Sequence, residues 1–195
     1  MLWGAYIMNN EIKSFIDDEY KNIYANLNVN WLKGFKRKIE EVSHKGLANS
    51  GVEQNILTNY AVELVNNVNE KIKDLLKDSQ EKFNFVMQSN DIEDYINKSI
   101  NNSNGHLEKM QKDLIDYFDN KKMPLAESCK IQLRNAKLNN KAALDKIKKE
   151  MILINKSKQE IEKKASQKIF SKGDIIGIIS IVVAIILFIL DLIFA

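Results

Sequence analysis

Few residues in this chain stand at spacings that could do chemistry. Glu41-Val-Ser-His44 has the E-x-x-H spacing of a di-iron carboxylate bundle. Such a centre needs a second pair and two further Glu. The other histidine, His106, supplies none of them, so a metal site is not expected. A lone cysteine, Cys129, has no intrachain partner, so an oxidising compartment is not implied. It reads as a small buried side chain. Asn97-Lys-Ser99, Asn101-Asn-Ser103 and Asn155-Lys-Ser157 match glycosylation sequons, which a body facing the cytoplasm would not use. There is no Gly-rich phosphate loop, no H-E-x-x-H and no G-x-S-x-G. No cofactor and no small-molecule substrate are therefore expected, and the chain does not read as an enzyme.

The strongest chemical signal is physical rather than catalytic. Residues 175–195 read IIGIISIVVAIILFILDLIFA, with Asp191 as their one charge and no Pro. As a helix this run measures about 31 Å, close to the ~30 Å hydrocarbon thickness of a bilayer. Gly173, Gly177, Ser180 and Ala184 recur at steps of four, three and four, and the same stripe reaches Asp191. Small residues on one face let helices approach closely in lipid, where no hydrophobic drive brings them together. A carboxylate costs roughly 2.5–3.5 kcal/mol at mid-bilayer and less toward an interface, where Asp191 is expected to lie.

Charge then orients this segment. Residues 141–172 carry ten Lys against Asp145, Glu150, Glu160 and Glu162, although the whole chain has a net charge of only +3. Lys163, Lys164, Lys168 and Lys172 flank the apolar run on its near side, and no Lys or Arg lies beyond it. Lys and Arg close to a span hold their side in the cytoplasm. Near an anionic leaflet each adds up to ~1 kcal/mol of attraction. Phe170 is the one aromatic residue among these lysines, so a nucleic-acid surface is not expected. The layout is that of a tail-anchored, single-pass membrane protein with residues 1–172 in the cytoplasm. The abundance of Lys, Asn and Ile fits a bacterial, AT-rich source.

The elements that precede the anchor are helical by composition. Gly numbers 7 and Pro 1, while charged residues make up 28% of the chain. The expected fold class is all-α: an elongated helical bundle or coiled-coil hairpin followed by one C-terminal transmembrane helix. Residues 1–9 read as an N-terminal extension, with Met1 and Met8 both open as the start. Ile12, Phe15, Ile16, Tyr20, Ile23, Leu27, Trp31, Leu32, Phe35, Ile39 and Val42 follow the helical period, with NLNVN at 26–30 a candidate interruption. Gly46 suits the left-handed position that ends a helix, and Ser50…Glu53 has capping-box spacing. A second stripe runs through Leu57, Ala61, Leu64, Val68, Ile72 and Leu76 toward Phe83 and Val86. Together these predict a hairpin over 10–88, completed by short helices within 91–122 that are separated at NNSNG, 101–105. The hairpin and short helices make a cytoplasmic bundle over 10–124.

Residues 125–172 predict one long basic helix with a partial coiled-coil seam. Leu144, Met151 and Ala165 take one seam position; Ile147, Ile154 and Ile161 take the other. Asn140 and Lys158 interrupt it. The seam serves either the internal bundle or self-association. Two functional classes follow. One is an interaction or scaffold module held at the lipid bilayer by residues 173–195. The other is a membrane-active effector, a holin-like, phage-defence or pore-forming helical protein, whose C-terminal helix oligomerises and permeabilises the membrane.

Overall fold

The computed structural model describes Met8 and residues 10–169, excepting the side chains of Glu162 and 165–169. Among the described residues there are four helices and no strand: α1 (Asn10–His44), α2 (Gly51–Lys82), α3 (Ser89–Asn120) and α4 (Glu127–Ile169). None of these is both long and apolar enough to cross a membrane. The anchor expected at 173–195 lies outside the described residues. Among the described residues, those up to Ile152 form one compact unit, and the part of α4 from Leu153 onward falls outside it.

Within this unit the helices run up-down-up-down, joined by short turns. Cross-links between side chains give the directions. Tyr95, Ser103 and Asp113 of α3 bond Asp17, Tyr24 and Trp31 of α1, so these two helices are parallel. Gln132 bonds Asn59, and Glu150 pairs with Lys73 at 3.2 Å, so α4 runs parallel to α2. Lys137–Glu108 and Lys148–Glu93 tie α4 antiparallel to α3.

Three helix ends close in the same way. The amides of Leu47, Phe85 and Met123 reach back five residues to the carbonyls of Val42, Gln80 and Phe118, at 3.0–3.1 Å. The residue before each has positive φ: Gly46 (68°), Asn84 (48°) and Lys122 (56°). This is the Schellman arrangement, with an apolar residue just beyond the left-handed position folding back onto the helix. Gly46 was legible because glycine takes that φ freely; Lys122 was not, because lysine seldom does. α2 consequently stops at Lys82 and does not continue through Phe83 and Val86. Its start is as expected, with Ser50 Oγ accepting the Glu53 amide at 3.2 Å.

The core is a single cluster that runs the length of the unit. Ile16, Leu27 and Trp31 of α1 meet Leu57, Ile72 and Leu76 of α2, Ile96, Leu107 and Phe118 of α3, and Leu133 and Leu144 of α4. Asn26 to Asn30 do not interrupt α1; Leu27 is buried there and Asn28 accepts a bond from Lys109 at 2.8 Å. Gly34 of α1 lies against the Tyr60 side chain of α2. A methyl group there would fall 1.7 Å from the Tyr60 hydroxyl, which donates to the Asn30 carbonyl at 2.8 Å.

α3 departs most from the expectation. It is one helix over Ser89–Asn120, not two short ones, and it runs straight through NNSNG. It begins at Ser89, with Gln88 at the cap position making no side-chain cap bond, whereas Asn90 or Asp91 as the cap would begin it two or three residues later. Asn, Asn, Ser, Asn and Gly together disfavour helix by about 3 kcal/mol relative to alanines. Tertiary bonds offset this. Ser103 is fully buried against Tyr24, Asn102 donates to Tyr20 at 3.2 Å, and Asn140 of α4 donates to Asn104 at 3.1 Å.

Candidate functional site

The residues expected to carry function are concentrated on α4 and beyond it, and they divide into three groups. Leu144, Ile147 and Met151 lie in the bundle core, at 0%, 5% and 2% exposure. The lower seam thus closes the four-helix unit, and these three side chains are not offered to another molecule. Leu153, Ile154 and Ile161 are exposed at 65%, 40% and 66%, and Lys163 and Lys164 are exposed as well. Apolar and cationic side chains therefore share the solvated surface of the helix that leads into the apolar segment. Aliphatic groups in water beside ammonium groups suit contact with a partner helix or an anionic headgroup layer. The remaining expectations fall outside what is described: the side chains of Ala165 and Lys168, all of Lys172, and the face of Gly173, Gly177, Ser180, Ala184 and Asp191.

Sequence reasoning missed two buried polar assemblies. The first is a ladder between α1 and α3. Tyr95 donates to Asp17 at 3.0 Å, and Ser99 Oγ reaches Tyr20 at 3.3 Å and the Tyr95 carbonyl at 2.7 Å. Tyr24 donates to the Ser99 carbonyl at 3.1 Å and stands 3.0 Å from Ser103 Oγ. Trp31 donates to Asp113 at 2.7 Å. His106 stacks on the Tyr24 ring, with centroids 5.6 Å apart. Burial raises the Tyr20, Tyr24 and Tyr95 phenols above their ordinary range; for Tyr20 the neighbouring Tyr24 adds to this, and for Tyr95 Asp17 does. These hydroxyls therefore stay protonated and act as hydrogen-bonding rungs rather than as acids. Burial, with Lys109 nearby, lowers His106 below 6.5 and favours its neutral form. The available signal was tyrosines four apart on α1 opposite serines four apart on α3, which is visible only once the two helices are paired.

The second assembly surrounds Glu53, whose side chain has no exposed surface. Its Oε1 accepts from Tyr117 at 2.7 Å and Lys121 at 2.9 Å, and its Oε2 accepts the Asn49 amide at 2.7 Å. Burial alone would raise the carboxyl. The bonds from Lys121, Tyr117 and Asn49 outweigh it and hold Glu53 below the usual carboxylate value. Next to it, Gln54 donates to the Pro124 carbonyl at 3.1 Å and accepts the Ala126 amide at 2.7 Å. The capping-box glutamate thus pins the α1–α2 turn to the end of α3, while its neighbour holds the α3–α4 turn.

Glu53 is fully buried, whereas Asp17 of the ladder keeps about a third of its side-chain surface exposed. Two shallow grooves, of about 310 and 430 Å³, lie along α1/α2 (Ile23, Leu27, Asn30, Leu64, Lys71) and α2/α4 (Val62, Ile131, Gln132, Asn139). Glu41 is engaged by Lys38 at 3.0 Å and Arg37 at 3.5 Å. Among the described residues no three His, Cys, Asp or Glu side chains are placed to share a metal ion. Cys129 is buried and lies 3.4 Å from the Asn55 side-chain oxygen. No protein-family model, curated protein or solved structure matches the chain.

Proposed function

We propose that this is a non-enzymatic membrane-anchored protein whose helical body faces the cytoplasm as an interaction or scaffold module. The observation that carries the reading is the apolar run at 175–195, preceded by Lys163, Lys164, Lys168 and Lys172. A run of this length matches the hydrocarbon thickness, and the lysines hold the body on the cytoplasmic side. The exposed Leu153, Ile154 and Ile161 support a protein contact close to the bilayer, through a partner or a second copy. After extraction of membranes with alkaline carbonate, the protein is expected in the pellet. Full release into the supernatant would sink the proposal.

A second reading rests on the stripe of Gly173, Gly177, Ser180 and Ala184 ending at Asp191. In this reading the span associates through that face and permeabilises the membrane as a holin-like or pore-forming effector. Expression should then depolarise cells, and Gly177→Leu or Asp191→Leu should relieve the effect. Unchanged membrane potential on expression of the wild-type chain decides against it.

A further inference from the structure

We propose that α3 carries a built-in hinge at Asn101–Gly105, at which the helix opens into the two shorter helices 89–100 and 106–120. The five residues are among the poorest helix formers apart from proline. Nothing about the folded conformation demands a glycine in their midst. Gly105 does not have positive φ, and a methyl group added there would meet nothing within 4 Å. Asn101 is exposed as well. A continuous helix gains from alanine at both places, so these residues favour the broken state, where Asn102 can take the left-handed position beyond the helix that ends at Ile100 and Gly105 can stand at the N-cap of the helix that begins at His106.

The contacts that keep the helix whole are directional polar bonds rather than apolar packing at these positions. Ser103 is held by Tyr24 and Asn102 by Tyr20, both of α1, and Asn104 by Asn140 of α4. On either side the helix is anchored by buried apolar groups, Ile92 and Ile96 before it and Leu107, Met110 and Leu114 after it. Each half therefore keeps its own packing stripe when the centre opens. α3 can bend at its middle without the bundle unfolding, and events at α1 or α4 reach it through three hydrogen bonds.

Hydrogen–deuterium exchange on the full chain in detergent micelles tests this. The amides of residues 102–108 are expected to exchange at least tenfold faster than those of 93–99 and 110–117, with a weaker dependence on urea. Asn101→Ala combined with Gly105→Ala should slow exchange at 102–108 about tenfold, from the propensity difference alone. A single rate with a common urea dependence throughout α3 would overturn the hinge. So would rapid exchange at 102–108 that the double substitution leaves unchanged.

Discussion

Glu53 offers the sharpest test of how this bundle is held together. Its carboxylate has no solvent exposure and accepts three hydrogen bonds, of 2.7, 2.7 and 2.9 Å, from Asn49, Tyr117 and Lys121. Glu53→Ala removes all three acceptor interactions at once. Breaking a buried charge pair costs roughly 3–5 kcal/mol because the remaining charge is stranded. Here the Lys121 side chain is 26% exposed and can regain some water, so about 2–4 kcal/mol is expected. At about 2–4 °C per kcal/mol for a chain of this size, the midpoint should fall by about 4–16 °C. Glu53→Gln keeps the shape and part of the bonding and should cost about half as much. The assay is thermal and urea unfolding of the full chain in detergent, followed by far-ultraviolet circular dichroism. The pH dependence has a definite sign. The folded-state value of Glu53 lies below 4.5, so its contribution is complete above that pH and is lost as pH falls through the folded value. His106, also lowered, begins to erode stability earlier, as pH falls below 6.5. The decline of the wild-type stability curve below pH 4.5 should be shallower in Glu53→Gln, with Glu41, also lowered, still contributing. If Glu53→Ala unfolds within 0.5 kcal/mol of wild type, the pinning role assigned to this carboxylate is wrong.

Two further outcomes follow from the packing. Tyr24→Phe deletes the hydroxyl that meets the Ser99 carbonyl and Ser103 Oγ, leaving buried groups without a partner, and should cost about 1–2 kcal/mol in urea unfolding. Leu144→Ala should cost about 2–5 kcal/mol, whereas Ile161→Ala, at 66% exposure, should stay within 0.5 kcal/mol; equal losses would contradict the division of the α4 seam.

What could be read without the structure depended on the range of the interaction. Helical period, the Ser50 cap and the Gly46 stop involve residues within five positions of one another, so α1 and the start of α2 were legible. The same holds for the apolar run at 175–195 and its flanking lysines, which set the proposed placement at the membrane from composition and order alone. The seam was legible as a pattern but not in its use. Whether Leu144, Ile147 and Met151 face their own bundle or a second chain depends on where α2 and α3 lie, and only the tertiary structure places those helices.

The continuity of α3 was decided wholly at that level. Local propensity at Asn101–Gly105 argues for a break, and contacts from Tyr20, Tyr24 and Asn140, between about 36 and 82 positions away in the chain, override it. Glu53 shows the same limit. Its spacing from Ser50 announced a cap, and the cap is there, but its partners Tyr117 and Lys121 lie 64 and 68 residues on. A short-range pattern reports what the backbone can do locally. Which buried polar group finds its partner depends on helices brought together by the core, and a linear sequence does not display that distance.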